Sequence, residues 1–377
     1  MEQSKVVVNN NKTKPKRVRY IDSGRALASF AGIIYHVALI FSANWIISVS
    51  EQNQIHELKA YTQYINLFRM PLFLFISGYF SMSVLSRKGS SEFLINRVKR
   101  IAIPLVSTMI FLNTLQSYVS NYLLYGNRSF DGWISQLLPW SSDFSFSHAW
   151  YLYYILVFSL LLLVVDYKKI ISSRIKKLRN CNGYYLDVGF IILTIGISAF
   201  GLLIYKIVPL SHALIDIIDM TMYLPYFVIG YVCYVNKELL ERLVINIDKK
   251  RALYFFIMIV GTMSVLLIMP DSFKYPKFFM NLVCRYYSLL FVIYLLNRFL
   301  NKENKVIDYM SKASYGVYIL HQPIIIVIGY IYLKYFNDVS PYVGFISVLS
   351  ASIILTYLIE WALIKKTKLG KFLFNGA

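Results

Sequence analysis

Arg25 and His36 stand eleven residues apart in an apolar stretch, Asp22-Ser-Gly-Arg25-Ala-Leu-Ala-Ser-Phe-Ala-Gly-Ile-Ile-Tyr-His36. An ionisable side chain at membrane depth is costly, so its presence there marks function. Eleven helical residues turn through about 1100°, within about 20° of three full turns, and rise about 16 Å. The pair therefore shares one helix face. A charged mouth at one end and a proton-transfer group at depth follow from that geometry. Asp22 is three residues before Arg25 and within reach of an i,i+3 ion pair, or of a helix cap. It lies about 21 Å of rise from His36, too far to orient that imidazole along a continuous helix.

Other polar groups interrupt apolar runs. Arg69 lies in Asn66-Leu-Phe-Arg69-Met-Pro71-Leu-Phe-Leu-Phe-Ile-Ser77-Gly78-Tyr79. Beside Pro71 it serves either ion pairing and freed carbonyls or an anionic substrate group. Ser77-Gly78 offers a small surface for close helix contact. Arg97 and Arg100, in Asn96-Arg-Val-Lys-Arg-Ile-Ala-Ile-Pro104, fit ordinary inner-face anchoring. They also fit phosphate binding at a helix N-terminus, where N–H groups and the dipole favour anions. Ser147-His148-Ala-Trp150 places a histidine beside an interfacial tryptophan, suited to a membrane boundary or to a sugar. His321, followed by Gln322 and Pro323, is a second histidine in an apolar run. Arg285 and Glu360 are further in-span charges with no evident partner, and His56 and His212 fall in outer loops without an assigned role.

The elements that must position these groups are membrane helices. Of 377 residues, 57% are hydrophobic and only 15% charged, with mean hydropathy +0.54; a soluble domain carries about a quarter charged residues. Ten stretches approach the roughly 20 apolar residues a span needs: 24–48, 65–85, 101–125, 149–166, 187–208, 219–236, 252–270, 278–298, 314–334 and 342–364. Thirty of the 39 Lys and Arg fall in segments on one side of this arrangement and six on the other. The positive-inside rule then puts both termini in the cytoplasm. The net charge of +20 follows from topology and requires no nucleic-acid partner. The expected organisation is a basic tail over 1–19, a ten-helix all-α membrane domain over 20–364 and a short cytoplasmic tail over 365–377. The tail ahead of the first span is rich in Asn and Lys, a disorder-type composition, and shows no signal-peptide cleavage site. Cys181, Cys233 and Cys284 are scattered, without metal-ligand or disulfide spacing.

No P-loop, GxGxxG, HExxH or GxSxG motif is present. What remains is a midplane histidine, cations at the inner mouth and polar-aromatic groups outside. That layout suits a reaction across the membrane: an anionic cytosolic donor, an acceptor entering from outside, and His36 between them as general base. For O-acyl transfer, the spacing of Arg25 and His36 matches the reach of a pantetheine arm, and the membrane setting limits thioester hydrolysis.

Five motifs in order carry a resemblance. Asp22-x-x-Arg25-x10-His36, Phe68-Arg-Met-Pro-Leu-Phe-Leu-Phe-Ile-Ser-Gly-Tyr79, Arg97-x-x-Arg100-x-x-x-Pro104, His148-x-Trp150 and Tyr318-Ile-Leu-His321 resemble the acyltransferase 3 family of integral membrane acyltransferases, from about residue 18 to 375. The resemblance implies His36 as the catalytic histidine, Arg25 as its essential partner, and Arg69 and His321 in the functional core. Asp22, Arg97 and Arg100 fall on the donor side, and His148, Trp150 and Tyr318 on the central or acceptor side. It implies transfer of an acyl group, succinyl or acetyl, from acyl-CoA as co-substrate to hydroxyls of an extracytoplasmic glycan such as a periplasmic glucan. The setting would be the bacterial inner membrane, with no permanently bound cofactor and no metal. Arg25-Ala26 departs from the Arg-Gly of most members. The rival from another class is a transporter or exporter of a glycan or acyl group, with His36 and Arg25 in a proton or anion path; inverted repeats would favour it, and none is evident.

Overall fold

Long apolar segments with few charges have one economical solution in lipid, the helix that satisfies its own backbone. The computed structural model describes residues 18–42, 45–124, 135, 138–139, 141, 144–164, 182–207, 211–212 and 215–376. Most of the basic N-terminal tail, Asp131, Trp133, Trp140 and Asp143 of the outer segment, and the basic stretch 165–181 with Cys181 lie outside them.

The helices are α1 (Arg19–Ser42), α2 (Glu57–Arg97), α3 (98–124), α4 (Trp150–Val164), α5 (Gly183–Ile207), α6 (Ile217–Val235), α7 (Lys249–Ile268), α8 (Lys274–Phe299), α9 (Lys305–Tyr335), α10 (Pro341–Ile359) and α11 (Lys368–Asn375). A two-residue antiparallel pairing joins Ser211–His212 to Ile215–Asp216. Among the described residues, eight helical runs are long and apolar enough to cross a membrane, and Ser147–Leu163 is a shorter apolar helix. One of the eight is a 65-residue run, Glu57–Asn121, that joins α2 to α3. The fold is all-α and multi-pass.

The structure corrects one expectation here. A loop was expected between 85 and 101, but the chain stays helical except at Gly89, whose φ of 78° and ψ of 175° reverse its path. Only glycine adopts such angles without strain. Arg97 and Arg100 therefore lie about two and three turns inside a helix and not at its N-terminus. Their neighbouring N–H groups are engaged within a π-helical turn, Val98–Ala102. Any anion binding here rests on the guanidinium groups alone.

Close helix contact comes from glycine, as the Ser77-Gly78 pair suggested. A Cβ on Gly78 would run into the carbonyl of Phe227, and one on Gly230 into the carbonyl of Phe75. The two glycines thus let α2 and α6 cross backbone to backbone. Helices α1, α2 and α9 bury most of their apolar surface, whereas α5, α7 and α10 bury little and form the outer faces.

Several buried polar groups are paired, most of them across helices. Arg251 holds Asp187 through Nε (3.0 Å) and Nη2 (2.7 Å), and the Tyr286 hydroxyl donates to the same carboxylate at 3.3 Å. Arg285 donates to Asn281 Oδ1 and to the Tyr223 hydroxyl, each at 2.8 Å. Cys233 and Cys284 are buried free thiols. The segment expected as a short C-terminal tail forms α11. Thr367 caps it by accepting the Gly370 N–H at 2.9 Å, and Gly376 ends it at φ 59°. There a Cβ would meet the Lys99 carbonyl, so the glycine is what lets α11 dock beside the Arg97–Arg100 turn.

Candidate functional site

Three helices carry the site, each along one continuous face. On α1 the face runs from Arg25 through Ala28, Ser29 and Gly32 to His36. On α2 it runs from Asn66, Arg69 and Met70 through Phe73 to Ser77 and Phe80. On α9 it runs from Ser314 and Tyr315 through Tyr318 to His321. These are i, i+3, i+4 and i+7 spacings, one stripe of a helix surface. Together with α4 they enclose two cavities.

The first has a volume of about 420 Å³ and is lined by Arg25, Arg97 and Arg100, with Ser77, Tyr151, Tyr315 and Asn375 among its other walls. Arg25 donates to the Ser311 carbonyl at 2.9 Å and stands 3.9 Å from Asp22, whose carboxylate also accepts the Ser311 hydroxyl. Asp22 itself does not line the cavity; it sits behind Arg25. Arg97 lies over the Phe93 ring and donates to Ser81 Oγ and Asn96 Oδ1. Arg100 donates from Nη1 to the Asn375 carbonyl at 3.0 Å, and its own carbonyl accepts the Tyr315 hydroxyl at 2.7 Å. None of the described lining residues is a carboxylate, so three guanidinium groups give this cavity a strong pull on anions.

The second cavity, about 140 Å³, is lined by His36, Arg69, His148, Trp150, Tyr318, His321 and Gln322, with Gly32 in its wall. Residues far apart in sequence meet here: the His36 and His321 ring centroids are 5.1 Å apart, and those of His148 and His321 6.1 Å. Hydrogen bonds set two of the tautomers. His321 Nδ1–H donates to the carbonyls of Tyr318 (2.7 Å) and Val317 (3.1 Å), leaving Nε2 as its basic nitrogen. His148 Nε2–H donates to the Ile319 carbonyl at 2.8 Å, and its Nδ1 is without a partner. His36 Nδ1 is also buried and unpartnered. A neutral imidazole with a free nitrogen in a buried cavity is equipped to accept a proton.

Arg69 supplies the positive charge of this cavity. It is 9% exposed, lies over the Tyr35 ring at 4.5 Å, and has no carboxylate partner among the described residues. The absence of a side chain at Gly32 makes room for it: a Cβ there would stand 3.0 Å from Arg69 Nη1 and 3.6 Å from His321 Nε2. Trp150 packs on Tyr223 and Tyr154 at the cavity wall. Ser147, at φ 46°, makes a strained turn just before His148; its hydroxyl accepts from Gln116 and Gln322.

The structure thus places nine of the ten sequence candidates in the walls of these two cavities, with Asp22 directly behind. Gly32, Phe73, Tyr151, Gln322 and Asn375 were not singled out. Gly32 carried one usable signal, its position one helical turn before His36. The other four are ordinary residues for their segments.

Comparison with known proteins gives relatives and a family for the chain as a whole. Relatives include the glucans biosynthesis protein C of Escherichia coli strain SMS-3-5 and that of Shigella dysenteriae serotype 1. Each is 25% identical over 382 residues, covering 97% of this chain and 96% of the relative. The Escherichia coli K12 protein of the same name shows the same identity and coverage. No solved structure matches the chain at a significant level. The acyltransferase 3 family profile, described as an acyltransferase domain, matches residues 18–361, and the chain therefore belongs to that family of membrane acyltransferases.

Proposed function

We propose that this membrane acyltransferase moves a short acyl group, succinyl or acetyl, from cytosolic acyl-CoA to a hydroxyl of an extracytoplasmic glycan. The observation that carries it is the stacking of two cavities along α1, α2 and α9, one lined by three arginines and the next by three histidines. The arginine cavity suits the phosphates of a CoA donor, with Arg25, Arg97 and Arg100 as their partners. The glycan acceptor follows from the relatives' name, which ties them to glucan biosynthesis.

The topology belongs to the same reading. The 65-residue run turns at Gly89 and crosses twice, and the helix containing α4 crosses once. Ten spans result, with both termini in the cytoplasm of a bacterial inner membrane and the arginine cavity facing inward.

In the reaction, the free nitrogen of His36 takes the proton of the acceptor hydroxyl as that oxygen attacks the thioester carbonyl. The Arg69 guanidinium faces the developing oxyanion. Collapse of the tetrahedral intermediate breaks the C–S bond, and the imidazolium of His36 returns the proton to the leaving thiolate. His321 neighbours both His36 and His148, and His321 and His148 each have one nitrogen directed away from their carbonyl partner. Radiolabelled acyl-CoA supplied to vesicles of known orientation tests the scheme. His36→Ala should lower incorporation into glycan by about 10²- to 10⁴-fold; incorporation at the wild-type rate would sink it.

A further inference from the structure

The two cavities share two lining residues, Phe73 and Tyr318. These are the positions at which the lining faces of α2 and α9 change from one cavity to the other. With Tyr151 of α4 they form a triangle of rings, with centroids 5.3 Å apart for Tyr151–Tyr318, 5.6 Å for Phe73–Tyr151 and 6.4 Å for Phe73–Tyr318. Rings at such spacings are in van der Waals contact, so they leave no gap among themselves where the two cavities adjoin.

The three rings are not held alike. The Tyr318 hydroxyl donates to the His148 carbonyl. The Tyr151 hydroxyl donates to the Phe73 carbonyl at 3.1 Å and bonds Ser77 Oγ at 2.7 Å. Phe73 has no polar atom on its ring and is held by packing alone. A rotamer change at Phe73 breaks no hydrogen bond, whereas one at either tyrosine does.

Beyond the rings there is little room. The histidine cavity of about 140 Å³ is close to the roughly 150 Å³ of an apolar cavity known to hold one benzene molecule. An acyl group and an attacking hydroxyl must share that space with a thioester sulfur.

We infer that Phe73, Tyr318 and Tyr151 form an aromatic filter between the donor and catalytic cavities, that Phe73 is its moving leaf, and that the filter restricts transfer to short, narrow acyl groups. The inference rests on the acyltransferase reading for its substrate and on geometry alone for its barrier, and two measurements separate these.

The first compares acetyl-, butyryl-, hexanoyl- and benzoyl-CoA as donors in proteoliposomes. The wild type should fall steeply in kcat/KM beyond butyryl. Phe73→Ala should raise the hexanoyl-to-acetyl ratio at least tenfold, and Phe73→Trp should lower the butyryl-to-acetyl ratio. The second needs no catalysis. Ser29, in the histidine cavity, is replaced by cysteine in a chain whose Cys181, Cys233 and Cys284 are changed to alanine. A membrane-impermeant anionic methanethiosulfonate is then supplied from the face bearing the arginine cavity. Adding Phe73→Ala should speed labelling at least tenfold. An unchanged donor profile and an unchanged labelling rate in folded Phe73→Ala protein overturn the filter. If labelling responds while the wild type uses no acyl thioester, the filter stands and the donor assignment fails.

Discussion

At the scale of single residues, the site is built as much from what is missing as from what is present. Gly32 gives up its side chain so that the Arg69 guanidinium and the His321 imidazole can approach α1. Gly32→Ala adds one methyl group where Arg69 Nη1 would be 3.0 Å away. The guanidinium then moves by a few tenths of an ångström or more. Because misplacement of about 1 Å costs about 10²-fold in rate, kcat should fall ten- to a hundredfold. Initial-rate assays on purified protein check this, and the melting temperature in detergent should stay near that of the wild type. Arg25, Arg69, His36 and His321 were legible in the sequence because ionisable groups inside apolar runs are costly and therefore rare. Phe73 was not legible. In a chain that is 17% aromatic, one more phenylalanine carries no signal until the fold sets it against Tyr151 and Tyr318.

At the scale of elements, the arginine cavity depends on a helix that reads as a polar tail. Asn375 of α11 holds Arg100, and Gly376 lies against the Lys99 carbonyl. Gly376→Ala combines a left-handed backbone, costing about 1–2 kcal/mol for a residue with a side chain, with a steric clash at that carbonyl. It should loosen α11 from the Arg97–Arg100 turn. The expected result is a rise of about tenfold in KM for the acyl donor, with kcat and the acceptor KM little changed; equal losses in all three would assign α11 a general structural role. The apolar spans were legible because lipid demands long, self-satisfied helices. The 86–100 segment was not, because Ser86-Arg-Lys-Gly-Ser-Ser-Glu92 is too polar to read as part of an apolar span, although only Gly89 breaks its helix. The charge pairing of Asp187 with Arg251 also escaped notice, since each residue taken alone sits near a helix end, where charges are common.

At the scale of the whole molecule, the two cavities meet at the ring triangle, and that wall has an electrical consequence. Water-filled cavities conduct, so a transmembrane voltage drops mainly across the thinnest insulating layer rather than across the full thickness of the bilayer. In the proposed orientation, with the arginine cavity open to the cytoplasm and the histidine cavity hydrated from the outside, that layer is the one formed by Phe73, Tyr318 and Tyr151. An acyl group passing it crosses much of the field in a single step, worth up to about 2.3 kcal/mol per charge per 100 mV. A neutral acetyl group is indifferent to that field. A succinyl group carries a carboxylate, and a negative interior drives it outward. Transfer rates in proteoliposomes, measured with and without a potassium-diffusion potential, should therefore rise severalfold with an interior-negative potential for a charged acyl group and stay flat for a neutral one. On the proposed orientation and donor, the resting membrane itself would become a selective accelerator of anionic acyl groups.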